Sequence, residues 1–252
     1  FSNVSGTVNG AQHNDFVQVQ ANYVKIYNNT FRNMSDSAID LDSCCNTGFL
    51  RIWNNIFTID SAMAISAPTG IRVYSNSGAT TSLSDIVIVG NTFVDVIGNV
   101  GISFPNYGGG NPTVSGVLIK NNIIYNTTSP INIVASTGFV QSDWDINYNA
   151  VNAGASGGAT LTVDGTSFTQ ANGQTGVPTF VSYAERAPGN IYALLTGDTV
   201  AKDTGVVLAA SYASDILGVV RPQGSAWDIG AYEFLLGTQG SATFGVGWRR
   251  PR

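Results

Sequence analysis

Charge is what this chain has least of. Lys, Arg, Asp and Glu together supply 11% of its 252 residues, against roughly a quarter in an ordinary globular protein. Lysine is rare, and the one basic run is Arg249, Arg250 and Arg252 at the very end. With a net charge of −5, the basic footprint that nucleic-acid binding requires is missing. No apolar run approaches the roughly 18 residues that a membrane-spanning helix needs. Cysteine is limited to the adjacent pair Cys44 and Cys45, and sequence neighbours seldom reach disulfide geometry. One histidine, His13, and no spaced Cys/His set leave no zinc signature. A nucleophile elbow, a phosphate-binding loop and a dinucleotide fingerprint are likewise lacking.

Apolar residues, at 43%, are plentiful enough to exclude a disordered chain. Its polar surface must then be built from Asn, Ser, Thr and from Gly, of which there are 29. That profile suits a secreted, turn-rich β architecture.

One pattern returns along the chain: an apolar-alternating strand, then asparagine, then an apolar residue. It places Asn29, Asn55, Asn91, Asn122 and Asn149 at intervals of 26, 36, 31 and 27 residues. Ahead of these stand Val24 and Ile26, Leu50 and Ile52, Ile86 and Ile88, Val117 and Ile119, Trp144 and Ile146. A second strand series keeps the same rhythm, with first apolar positions Val17, Ile39, Ile71, Ile102, Ile131 and Leu161. A period in this range marks a repeat architecture whose units share one continuous core. The short period-2 strands predict an all-β solenoid, a single-stranded right-handed parallel β-helix of about five to six coils. Coils occupy 1–164, an irregular closing segment of the same domain follows over 165–236, and 237–252 forms a Gly-rich tail or linker. Because strand-like sequence is already under way near Phe16, further coils or a cap are expected ahead of Phe1. Asparagine at a recurrent position is explained twice over: it tolerates left-handed backbone at a corner, and its amide can bond the Asn of the next coil.

The end of the chain carries a resemblance. Asp215, Gly218, Arg221 and Pro222, followed by Asp-Ile-Gly-Ala-Tyr-Glu over Asp228 to Glu233, are similar to the closing segment of many secreted bacterial right-handed parallel β-helix proteins, pectate-lyase-like in fold. Upstream, "VPTFVS" and "YALLTGDTVAKDTG" resemble that family's lead-in, although Ser-Pro-Ala-Ile-Asp-x-Gly is the commoner phrase there. The resemblance implies the fold, a secreted or cell-surface location, and a family of polysaccharide lyases and hydrolases alongside members of unknown role. Asp215, Arg221 and Asp228 read as structural, tying the end of the helix down.

Alternate strand residues should point outward and stack into columns. The outward set is Gln18, Asp40, Asp42, Arg72 and Tyr74 from one series, and Lys25, Tyr27, Arg51 and Trp53 from the other. Later positions, Val87, Val89 and Leu118 among them, are plainer. Tyr27, Trp53 and Tyr74 are candidates for packing on sugar rings, and Lys25, Arg51 and Arg72 for pairing with carboxylates of a uronic acid chain, with Gln18 beside them. Asp40 and Asp42, about 7 Å apart along a strand, suit either a Ca²⁺ ion or an acid/base pair. Lys25, His13 or Arg72 would be the base of a lyase. The paired-Asp and Gly-His-Gly pattern of polygalacturonases is absent. Two functions compete: an enzyme acting on an acidic polysaccharide, and a non-catalytic adhesin or structural surface or filament protein. Self-association through the helix ends or the tail is a further expectation. An open groove over the first coils favours the enzyme, and a covered face the scaffold.

Overall fold

The computed structural model describes residues 15–42, 47–60, 68–74, 82–97, 100–105, 113–134, 144–152, 161–163 and 166–235. His13, Cys44, Cys45 and the tail 237–252 lie outside them. Five successive repeats each contribute three strands. The first is β1 (Val17–Val19), β2 (Lys25–Tyr27) and β3 (Thr30–Arg32); the second is β4 (Ser37–Asp42), β5 (Thr47–Trp53) and β6 (Ile56–Thr58). The third is β7 (Thr69–Tyr74), β8 (Ser82–Val89) and β9 (Thr92–Val94); the fourth is β10 (Val100–Phe104), β11 (Thr113–Lys120) and β12 (Ile123–Tyr125). The fifth is β13 (Ser129–Ile133), β14 (Trp144–Asn147) and β15 (Ala150–Asn152).

Every third strand pairs in parallel. The first strands form one sheet in the order β1-β4-β7-β10-β13, the second strands another, β2-β5-β8-β11-β14, and the third strands a third, β3-β6-β9-β12-β15. The first sheet adds β16 (Leu161–Val163) in parallel and closes on β17 (Thr166–Phe168), antiparallel. The described chain is thus nearly all β, compatible with an all-β solenoid, with one 3₁₀ turn over Ala210–Tyr212. Among the described residues no helix is long and apolar enough to cross a membrane.

Register follows the apolar columns. Ile39 pairs with Val17 and Ile71, Ile102 with Ile71 and Ile131. In the second sheet Ile26, Ile52, Ile88, Ile119 and Ile146 form one row of partners. The isoleucines all lie in one buried core cluster, with Val17 partly buried against it. The third sheet was not foreseen. Its strands are three residues long, too short for a period of two to show, and its core is a column of rings in which Phe31, Phe57 and Phe93 stack at 5.0 and 4.4 Å.

The asparagine column is a hydrogen-bonded ladder. Each Nδ2 donates to the Oδ1 of the next repeat: Asn29 to Asn55 at 3.2 Å, Asn55 to Asn91 and Asn91 to Asn122 at 3.0 Å, Asn122 to Asn149 at 2.9 Å. The same Oδ1 also accepts the backbone N–H of the preceding rung, at 3.0 Å in all four cases. Gln170, whose role sequence periodicity did not reveal, supplies the last rung at 2.7 Å. One expectation needs correction. The left-handed corner is not the ladder residue but the one before it: Asn28, Asn54, Gly90, Asn121 and Tyr148 have φ between 52° and 61°. Turning the chain and joining the repeats are therefore the work of adjacent residues.

After β17, the chain forms the antiparallel pair β18 (Phe180–Ser182) and β19 (Ile191–Leu194) and folds back along the outside of the repeats. Asn54 donates to the Ser214 carbonyl at 2.6 Å, Asn121 to that of Val206 at 2.7 Å, and Ala231 N–H to Thr92 Oγ1 at 2.9 Å. The closing motif is structural, as expected, but it clasps the flank of the second to fourth repeats rather than the end of the stack. Val87 and Val89, outward as expected, are buried under Tyr212 and Trp227. Their plainness reflects that cover.

A cluster on the first sheet links stability to pH. Arg72 lies 2.7 Å from Asp40, 2.9 Å from Asp36 and 3.5 Å from Asp15. Burial, then the charge of Asp40 and a hydrogen bond with it, push the Asp15 carboxyl up to about 7. The folded protein then holds a proton that the unfolded chain releases near its ordinary value of about 4. This contribution is complete below about pH 4 and is lost as pH rises through about 7. Asp198 acts oppositely: burial raises it, but N–H donors from Thr179, Ala201 and Lys202 outweigh that and lower it, so its contribution is lost as pH falls. Asp15→Asn should gain on the wild type as pH rises from about 4 to 8, by on the order of 2–4 kcal/mol, in urea unfolding at each pH. An unchanged difference across that range would remove the protonated carboxyl from the account.

Candidate functional site

Strands β2 and β5 lie side by side with Lys25 opposite Arg51 and Tyr27 opposite Trp53. Because Ile26 and Ile52 point into the core, these four side chains point out, as the alternation requires. Together with Asn28, Ser211, Tyr212 and Ser214 they line a cleft of about 420 Å³. One wall is the sheet; the other is the closing segment, held there by the Asn54 bond to Ser214.

Tyr27 and Trp53 stack at 4.2 Å with 8° between their planes, and the edge of Tyr212 meets Trp53 at 5.6 Å and 73°. A sugar cannot slide between the first two rings. It can use the far face of Tyr27, which is 49% exposed, and the ring edges. Arg51 is held by the Asp85 carboxylate at 2.7 Å and the Asp85 carbonyl at 2.6 Å. That pair is partly exposed and fixes the guanidinium more than it stabilises the fold. Lys25 is exposed and makes no ion pair among the described residues. Burial raises the Tyr212 hydroxyl, with a smaller opposing pull from Arg51, so it stays protonated as a donor at neutral pH.

The remaining expected residues are elsewhere. Gln18 is exposed on β1, opposite Asp40 in register and outside the cleft. Asp42 and Tyr74 are opposite one another on β4 and β7; their side chains, like His13, lie outside the described residues. Asp40 and Arg72, expected among the outward catalytic candidates, are paired with each other. Asp40 is 0% exposed and Arg72 grips it through Nε at 3.3 Å and Nη2 at 2.7 Å. A column of carboxylates on neighbouring strands repels itself, and one guanidinium among three of them relieves that. Both groups are withdrawn from substrate and engaged with each other, so neither acid/base chemistry nor a Ca²⁺ site at Asp40 gains support from this geometry. Among the described residues no group of three or more His, Cys, Asp or Glu is placed to hold a metal ion.

Sequence reasoning missed Ser211, Tyr212 and Ser214. They belong to no repeat, and the bond that positions them spans 160 residues of chain. Compared with known proteins, the chain matches no family model, no curated protein and no solved structure.

Proposed function

We propose that the chain is a single right-handed parallel β-helix that binds an acidic polysaccharide outside the cell, as a binding surface rather than a catalyst. The observation that carries this reading is the cleft, where an exposed aromatic face, an exposed ammonium and a fixed guanidinium converge. Aromatic faces pack on the apolar faces of sugar rings, and the two cations complement carboxylate or sulfate groups. In a chain so poor in positive charge, a lysine with no ion pair among the described residues beside exposed tyrosine is a distinct local feature. The binding reading is favoured over the lyase or hydrolase because the acidic side chain expected beside the cations is buried and paired. The likeness of the Asp215–Glu233 segment to secreted β-helix proteins supports an extracellular location and the handedness.

Titration calorimetry with polygalacturonate, alginate and chondroitin sulfate tests this. At least one should bind, with affinity falling as salt rises. Tyr27→Ala should weaken binding about tenfold, and Lys25→Gln should weaken it and flatten the salt dependence. Lys25 is exposed, so Lys25→Gln should leave Tm unchanged, while Tyr27→Ala also loses the stack on Trp53 and should lower Tm slightly. No binding to any of the three polymers would sink the reading, and release of an unsaturated, ultraviolet-absorbing product would convert it into the lyase.

A further inference from the structure

A second pair of rings lies ahead of Lys25 and Arg51, with Tyr23 two residues before β2 and Phe49 within β5. Tyr23 and Phe49 stack at 4.6 Å with 10° between their planes. They are 74% and 45% exposed, both large apolar surfaces left to water. Their backbones are left-handed, with φ of 62° and 58°. The residues in register with them on the next two repeats are Asp85, φ 55°, and Gly116, φ 62°. Aspartate and glycine are what a left-handed corner ordinarily carries. In the first two repeats alone, the same corner carries aromatic rings that are disfavoured there and are not compensated by burial. Strain kept at an exposed position points to a use for the side chain.

The rows make that use specific. Leading into and along β2 the exposed or half-exposed residues are Tyr23, Lys25 and Tyr27, and along β5 they are Phe49, Arg51 and Trp53. Two stacked aromatic pairs thus flank a pair of cations, the platforms separated by about 13 Å for four residues of strand. We infer that Tyr23 and Phe49 form a second binding platform, so that one acidic polysaccharide chain lies along the strands, on a ring at either end with an anionic group over Lys25 between. This rests on the polysaccharide reading above and adds a direction and a minimum length to it. A chain crossing the strands would meet Asp85 and the covered Val87 beyond Arg51. Running along them keeps it on the aromatic and cationic rows.

Size-graded fragments of polygalacturonate, alginate and chondroitin sulfate test it by calorimetry. Affinity should climb with fragment length until both platforms are spanned and then level off. Tyr23→Asn and Phe49→Asn place a residue that accepts left-handed backbone, so each Tm should hold or rise. The double variant should lose about tenfold in affinity for long fragments and nothing for the shortest that bind. Wild-type affinity of the double variant at every length would overturn the second platform; if Tyr27→Ala still weakens binding, the cleft survives that loss. A double variant changed only in self-association by sedimentation would also overturn it, reassigning the rings to a contact between copies. Absence of binding by the wild-type protein defeats both readings together.

Discussion

Asn91→Ala should lose about 3–6 kcal/mol of stability, a large share of the roughly 5–15 kcal/mol that holds a domain folded. Asn91 is the middle rung. It donates from Nδ2 to the Ile52 carbonyl and to Asn122 Oδ1, both at 3.0 Å, while its Oδ1 accepts the Asn55 N–H and the Asn55 amide, again at 3.0 Å. Alanine leaves the Asn55 N–H without its partner, takes a donor from the Ile52 carbonyl and opens a void. Each buried polar group so orphaned costs about 1–3 kcal/mol. Asn91→Asp serves as the control of mechanism. It keeps the shape and an oxygen to accept both Asn55 bonds but presents a carboxylate to Asn122 Oδ1 and the Ile52 carbonyl, so it should rescue little. Asn29→Ala, at the half-buried first rung, should cost only about 1 kcal/mol. Urea unfolding measures all three. A loss at Asn91 no larger than at Asn29 would show that the ladder is a by-product of stacking and not a source of stability.

The second large effect is expected at Arg221. Its guanidinium is buried and donates to the carbonyls of Asp228 at 2.8 Å and Gly230 at 2.7 Å and to Glu233 at 3.1 Å. Glu233 in turn accepts N–H bonds from Gln223 and Asp228. Asp215 accepts from Leu217, Val219 and Glu233, which draws the two halves of the motif together. Arg221→Met leaves Glu233 buried without its partner and should cost about 3–5 kcal/mol. Arg221→Lys should not recover this, since one ammonium cannot serve three acceptors arranged for a fork. Arg221→Met combined with Glu233→Gln should recover part, because no unpaired charge remains. The loss should be visible as proteolysis within 206–235, and polysaccharide binding should fall with it because Tyr212 and Ser214 form one wall of the cleft. Full binding by a protein whose closing segment is cut away would detach that wall from the site.

The parts of the fold written in a repeated residue type were open to reading. Val17, Ile39, Ile71, Ile102 and Ile131 mark one sheet, and the five asparagines the ladder, because a shared core imposes the same demand on every repeat. Asn28 and Asn29 show the limit. Two identical neighbours do different work, and only the backbone says which turns the corner. The Phe31–Phe57–Phe93 column sits in strands of three residues, below the length at which periodicity carries information. Of the site, Lys25, Tyr27, Arg51 and Trp53 follow from alternation, because their strands are regular. Asp40 and Arg72 follow the same rule of direction, yet Asp40 is buried and Arg72 is mostly covered and tied to it, since alternation says which way a side chain points and nothing about what covers it. Tyr212 was hidden by chain separation. Tyr23 and Phe49 were hidden because rings at left-handed positions run against propensity.

The clasp formed by the closing segment also divides the molecule mechanically. Its anchor points at Asn54, Thr92 and Asn121 run from the second to the fourth repeat, like a splint laid along a stack of plates. The first repeat, with Tyr23, Lys25 and Tyr27, lies ahead of the first anchor. In a structure whose repeats hold mainly to their neighbours, that plate can loosen without unfastening the others. The ligand-bearing strand would then exchange its amide hydrogens faster than the splinted strands and slow to their pace when a polymer bridges β2 and β5.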